Sequence, residues 1–395
     1  MSIKGGPHIE TSGLQLYYDV DNIDSYPGEP TTNLVSNGSF ETQSWTGFSY
    51  DQKTDGARAF VTNDSKFGST AVKLTNSTIG PIAFWDSGIA ITSGQQYTVS
   101  VWVKNIDCPT VPYFSLTSGI SGTLNFTGIS TTEWKKFSLT ATATSTGTGA
   151  FYIRTNQNAS QGSFLIDGYQ IENKPHATPF IDGTRSSTDG LKDLSGNANH
   201  ADLANTTYDS SALIDYAGSG YATISDSSTL DIQGAMSIGA WINLSSLTTT
   251  PSDPAIYARY DGTGAGTRQF WFSYRNASSD KGIALYVVDS SNVLKGAYRT
   301  DWSPSTDTWY YVVGVFSPSA YMRIYINGVL DYETTSSIPA DVYSTSIDSY
   351  IGGSPNYGSG YYFEGKIDLV QQYNRALTAT EQLNNYNAVK SRFGH

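Results

Sequence analysis

The chain has 395 residues and a formal net charge of −12, with 15% charged, 38% hydrophobic and 13% aromatic residues. The acidic balance disfavours nucleic-acid binding, which needs a positive surface, and the apolar and aromatic load is too high for a disordered chain. No apolar run reaches the roughly 18 residues of a membrane helix, so no membrane insertion is expected.

The N-terminus, MSIKGGPHIETSG, has no apolar core of a secretory signal. The single cysteine, Cys108, excludes an internal disulfide. Next comes GLQLYYDVDNIDSYPG (13–28), with a strand over Leu14–Asp19. YTVSVWVKN sets Tyr97, Val99, Val101 and Val103 against Thr98, Ser100, Trp102 and Lys104, the period-2 pattern of a half-buried strand. SIGAWINL does the same, with Ile238, Ala240 and Ile242 on one face. In MRIYINGVLDYE, Asn327-Gly328 separates two alternating runs and predicts a type I′ hairpin. Thr378-Ala379-Thr380-Glu381 is a capping box that opens a helix over 379–391, with Leu383, Tyr386, Asn387 and Lys390 at helical spacing and Gly394 ending it. Short strands at roughly 8 to 12 residue spacing, parted by Gly, Asn, Asp and Ser, predict an all-β chain of sandwiches with one short C-terminal helix.

Two blocks separate on composition. Residues 31–180 hold Trp45, Trp85, Trp102 and Trp134; residues 181–395 hold Trp241, Trp271, Trp302 and Trp309. The stretch ENKPHATPFIDGTRSSTDG reads as their connection.

NLVSNGSFETQSWTGFSY (33–50), FGSTAVKLTN (67–76), ITSGQQYTVSVWVKN (91–105), TTEWKKFSLTATA (131–143) and GSFLIDGYQIEN (162–173) resemble, in order, carbohydrate-binding modules of the CBM4/9/22-like group. DLSGNANHADL (193–203), SGYATISDSSTLDIQGAMSIGAWINL (219–244), DTWYYVVGVF (307–316), MRIYINGVLDYE (322–333) and FEGKIDLVQQYNRALTATE (363–381) resemble a concanavalin A-like, laminin-G-type lectin domain. Residues 13–28 resemble the first strand and loop of such domains in tailed-phage virion proteins, where a "DLSGNGN"-like stretch follows directly. Here that match resumes only at Asp193. The carbohydrate-binding sandwich (31–180) is therefore expected inside the first loop of the lectin-like sandwich (1–30 and 181–395), and both are expected to be jelly rolls. Surface loops tolerate such insertions.

Glycoside hydrolysis needs two carboxylates at a fixed separation. No E-x-D-x-x-E strand occurs, and Glu333, Glu364 and Glu381 stand alone, so no enzyme is expected. His8, His176, His200 and His395 form no zinc spacing. Sugar binding needs exposed aromatic faces with polar neighbours. Trp45, Tyr50, Phe84, Trp85 and Tyr113 stand in loop-like stretches as platform candidates, with Arg154 and Asn156 as polar partners. Trp102, Trp241 and Trp309 read as core or inner-face residues. Tyr357 and Tyr361 stand in the Gly/Tyr-rich NYGSGYY loop, as a binding edge or a protein contact. The resemblance to CBM4/9/22-like modules implies a structural Ca²⁺ between Glu41 and Asp167. Asp193 and Asn197 are a second calcium candidate.

Taken together, the resemblances imply a virion surface protein, either a capsid decoration, a head fibre or a tail-fibre component, made in the host cytoplasm without a signal peptide. Its partners would be capsid or tail proteins, further copies of itself (a trimer by analogy) and cell-surface or environmental glycans, bound weakly. The alternatives are a bacterial surface glycan-binding protein and a polysaccharide depolymerase.

Overall fold

The computed structural model describes residues 8–52, 57–76, 82–155, 162–208, 214–248, 253–277, 280–299, 301–357 and 361–395. They form two compact units, one made of residues 30–186 and the other split between the chain up to Glu29 and 187–395. Both are β-sandwiches, and the first is inserted in the second.

The inserted unit has two five-stranded antiparallel sheets. One runs Lys135–Thr142, Gln96–Asn105, Gly162–Glu172, Ala71–Asn76, Ala57–Val61; the other runs Phe48–Gln52, Ile82–Ile91, Gly147–Arg154, Tyr113–Thr117, Gly122–Asn125. The alternating residues Val99, Val101 and Val103 share a buried apolar core with Phe84, Phe114, Phe151 and Ile153. Trp102 takes the opposite phase. It is half-buried on the outer side of its sheet, beside Phe67 and under the Lys66 ammonium at 4.3 Å, so the inner-face reading of Trp102 fails by one residue of phase.

The chain enters and leaves this unit through a two-stranded ribbon, Thr31–Thr32 against Thr184–Arg185. Two polar side chains hold its root. Asn33 donates from Nδ2 to the Tyr169 and Ile181 carbonyls and accepts from the Val35 and Ile171 amides. Buried Glu172 accepts from the Thr31 and Thr178 hydroxyls, the Thr178 amide and the Gln170 side chain. Every strong acceptor here is matched, as burial requires.

The split unit packs an eight-stranded sheet on a seven-stranded one. The larger runs Thr207–Tyr208, Ile214–Asp215, Gly365–Tyr373, Met236–Leu244, Trp309–Ser317, Tyr321–Ile326, Val329–Thr334, and Leu14–Asp19 also pairs with Gly365–Tyr373. The smaller runs Ala201–Ala204, Tyr221–Ile224, Ser349–Ile351, Ala255–Tyr260, Arg268–Ala277, Asp280–Val288, Leu294–Tyr298. At the predicted hairpin, Asn327 and Gly328 have φ of 51° and 78°, as a type I′ turn demands.

The C-terminal helix is Ala379–Val389, with both bonds of the capping box formed, followed by the 3₁₀ turn Lys390–Phe393. Its inward residues are Gln382 and Asn385, whereas Leu383 is 43% exposed. The apolar seal comes instead from Trp241, which is fully buried and stacks on Phe393 at 4.0 Å with Tyr386 beside it. Asn385 accepts from the Glu10 amide and donates to the Tyr373 hydroxyl. Arg375 donates to the Ser12 carbonyl, so residues 10–12 dock on their own unit.

Candidate functional site

The sheet of the inserted unit that contains Ile82–Ile91 presents two in-register rows on its outer face. One is Ser49, Trp85, Tyr152, Ser115, Thr123; the other is Asp51, Ala83, Arg154, Tyr113, Asn125. Trp85 and Tyr152 lie 4.7 Å apart, and the Arg154 guanidinium sits 3.8 Å over the Tyr152 ring. The Arg154 Nε is buried and without a hydrogen-bond partner. The face therefore offers half-buried aromatic surface next to a cation with unused donor capacity.

Strand pairing thus brings Trp85, Tyr113 and Arg154 together. It removes Phe84, which is fully buried in the core and is no platform. The cause is again phase. Ile82–Ile91 is a strand, not a loop, and it sends Ile82, Phe84 and Asp86 inward. Trp45 and Tyr50 are half-buried at the sandwich edge. Trp45 stacks on Phe60 at 4.0 Å, and the Arg58 guanidinium lies 4.2 Å and 5.3 Å from the Trp45 and Tyr50 rings. Asn156 lies outside the described residues. Tyr152 was missed by sequence reasoning, although the alternation of FYIR places it on the same face as Arg154.

The split unit holds a second aromatic site. A cavity of about 210 Å³ on the outer side of the seven-stranded sheet is lined by Asp253, Tyr260, Trp271, Tyr286, Leu294, Tyr357 and Tyr361. Trp271 stands nearly perpendicular to Tyr260, Tyr357 and Tyr361, at 81°, 70° and 86°, with centroids 5.2 to 5.8 Å away. The Trp271 indole donates to the Asp253 carbonyl, and Arg275 donates to Asp253 Oδ2 and to the Tyr286 hydroxyl. Burial pushes the Asp253 carboxyl up to about 6, against the pull of Arg275. Of this set only Tyr357 and Tyr361 were expected from sequence. Trp271 belongs to the alternating run QFWFSYR, where Phe270, Phe272 and Tyr274 fill the core and leave the alternate residue outside it.

Glu41 and Asp167 converge on the loop at 65–70. Glu41 Oε1 accepts from the Ser69 and Thr70 amides and Oε2 from the Ser69 hydroxyl. Asp167 Oδ2 accepts from the Lys66 and Phe67 amides and Oδ1 from the Gly168 amide. Burial, with a smaller push from Glu41, raises the Asp167 carboxyl to about 6. Neither carboxylate has an ion pair among the described residues, and each keeps one oxygen with a spare lone pair.

Asp193 is different. Its two oxygens accept four donors, the Tyr17, Ser195 and Asn199 amides and the Ser195 hydroxyl. Asn197 turns its amide nitrogen to the Gln15 carbonyl at 3.1 Å. This pair ties the returning chain to the first strand and has no carboxylate lone pair left for calcium. Asp19 and Asp368 are gathered by Arg392, which also reaches Asp21.

Two jelly-roll-like sandwiches with aromatic outer faces invite comparison with known proteins. Residues 216–381 match the concanavalin A-like lectin/glucanases superfamily. Residues 32–160 match a carbohydrate binding domain family. The split unit is hereafter the lectin-like unit. Among solved structures, domain 4 of AbnA, a GH43 extracellular arabinanase from Geobacillus stearothermophilus in complex with arabinotriose, is 20% identical, with a TM-score of 0.39 over 49% of this chain and 92% of that one. The botulinum neurotoxin serotype D ligand binding domain in complex with N-acetylneuraminic acid is 18% identical, with a TM-score of 0.36 over 50% of this chain and 47% of that one. The binding domain of Paraclostridial Mosquitocidal Protein 1 is 14% identical, with a TM-score of 0.37 over 51% and 50%. The chain thus spans about half the length of these toxin domains. No curated protein matches the chain.

Proposed function

We propose that the protein binds glycans through the outer face of the inserted unit. The observation that carries this is the pair of in-register rows that set Trp85, Tyr152 and Tyr113 beside Arg154, Asp51 and Asn125. Pyranose C–H groups stack on such rings while hydroxyls bond the polar side chains. The match of residues 32–160 to a carbohydrate binding domain supports the same reading. Binding is favoured over cleavage by the carboxylates on offer. Hydrolysis needs a pair about 5 to 9.5 Å apart, whereas these rows contain Asp51 alone and the lectin-like cavity contains Asp253 alone. On a glycan array, Trp85→Ala and Tyr152→Ala are expected to weaken the best ligands at least about tenfold, and Phe84→Leu is the packing control. Undiminished binding by both alanine variants would sink the proposal.

We further infer that Glu41 and Asp167 can share a Ca²⁺ ion. What supports this is that buried Asp167 and exposed Glu41 converge on one loop without an ion pair among the described residues, each with an oxygen to spare. Carbonyls and water would complete the six to eight ligands. Calcium is expected to raise the thermal midpoint of the inserted unit over an EDTA-treated sample, and Asp167→Asn to erase that rise. An identical midpoint with and without calcium argues for a metal-free clamp.

The setting we infer is a virion surface, on the resemblance of residues 13–28 to tailed-phage virion proteins. A particle reconstruction without this chain on head or tail would favour the bacterial surface alternative; with it, the reconstruction also counts the copies.

A further inference from the structure

We propose that the cavity of the lectin-like unit is a cage for an organic ammonium group. The proposal does not rest on the glycan reading, which concerns the other unit.

Neighbouring side chains already engage much of the polar capacity of the lining. Tyr286 accepts from Arg275 at 3.0 Å, Tyr260 accepts from Arg268 at 3.3 Å, and the Trp271 N–H is spent on the Asp253 carbonyl at 3.1 Å. Tyr357 and Tyr361 are stacked on each other at 5.0 Å. One polar atom of the lining is buried with no partner, the acceptor Asp253 Oδ1. A saccharide ring carries several hydroxyls and needs several convergent donors and acceptors. This cavity is dominated by ring surface, with one tryptophan and four tyrosines in its lining and Asp253 as the single charged group there.

That pairing suits a cation. Aromatic rings carry negative charge on their faces, and an ammonium group held against several of them is attracted to each. The perpendicular stance of Trp271 to three tyrosines makes walls that meet at a corner. A soft, weakly hydrated quaternary group fits there, because it needs no hydrogen-bond acceptor of its own and gains from Asp253 through charge alone. Arg275 holds Oδ2 at 3.2 Å, which fixes the carboxylate of Asp253 beside the cavity that it helps to line. No lysine or arginine is part of the lining. The net charge of −12 draws cations toward the whole chain.

The test is calorimetric titration of the full chain with choline chloride, beside 3,3-dimethylbutan-1-ol, its uncharged carbon isostere. Choline is expected to bind saturably, and the isostere about tenfold more weakly or worse. Asp253→Asn, which keeps shape and removes charge, is expected to weaken choline about tenfold and leave the isostere unchanged. Val329→Ala, at a position 66% exposed and outside the cavity lining, serves as the folded control with unchanged choline affinity. Equal affinity for choline and the isostere, no saturable choline binding at millimolar concentration, or an unaffected Asp253→Asn variant would each overturn the assignment. Trp85→Ala is expected to leave choline binding intact, so failure here and failure of the glycan reading are separable.

Discussion

Asp193→Ala is expected to destabilise the lectin-like unit by about 3–4 kcal/mol, while the inserted unit keeps its own unfolding transition. The side chain is 8% exposed and accepts four hydrogen bonds, from three backbone amides and one hydroxyl. Removing it leaves those amides unsatisfied where water cannot reach easily, and each such loss weighs about 1–3 kcal/mol before partial relaxation. The damage is concentrated at one joint. Asp193 bonds the Tyr17 amide, Leu194 bonds the Tyr17 carbonyl at 2.8 Å, and Ser195 and Asn199 both donate to the Gln15 carbonyl at 3.0 Å. The loop at 193–199 thus grips the first strand as a neighbouring strand would. Asp193→Asn keeps one acceptor oxygen and is expected to lose about half as much. Calorimetry that shows the alanine variant within about 1 kcal/mol of the parent would refute this account.

The second large effect is expected at Trp241. Truncation to alanine removes a fully buried ring that stacks on Phe393 and Tyr386. Phe/Trp→Ala changes in cores weigh about 3–5 kcal/mol. The particular signature is local. Hydrogen exchange should accelerate over the helix Ala379–Val389 and the turn Lys390–Phe393, since Trp241 is the buried ring on which Phe393 and Tyr386 both stack and Leu383 faces solvent. Fast exchange spread evenly over both sheets, with the helix no worse than the rest, is the result that would count against it.

Features whose chemistry is local could be read from the chain. Asn327-Gly328 is a turn because only certain residues accept its backbone, and Thr378 with Glu381 is a helix start because two short side-chain bonds make it one. The first strand was legible for another reason, since Leu14–Asp19 and the stretch from Asp193 belong together by resemblance across the insertion. What escaped was phase. A period of two tells that a strand has two faces, but not which face meets the core. Phe84 and Trp85 are adjacent aromatics, and one is core while the other is surface. The same ambiguity hid Tyr152 and Trp271. In the helix, the polar Asn385 took an inner position because a tyrosine hydroxyl and the chain near Glu10 were there to meet it. Such pairings depend on residues far away in sequence and leave no local trace.

The neck ribbon also bears on how the chain folds as it is made. Leu14–Asp19 pairs with Gly365–Tyr373, so the first strand must wait for nearly the whole chain. At a synthesis rate of roughly 5–20 residues per second, that wait is on the order of 20–70 s. The inserted unit ends at Ser186 and can complete both its sheets long before then. Once it has, Thr31–Thr32 and Thr184–Arg185 are held side by side. The whole inserted sandwich then counts as a tight turn, and the entropy of closing the long outer loop falls accordingly. The insertion is thus a kinetic aid to the unit that it interrupts.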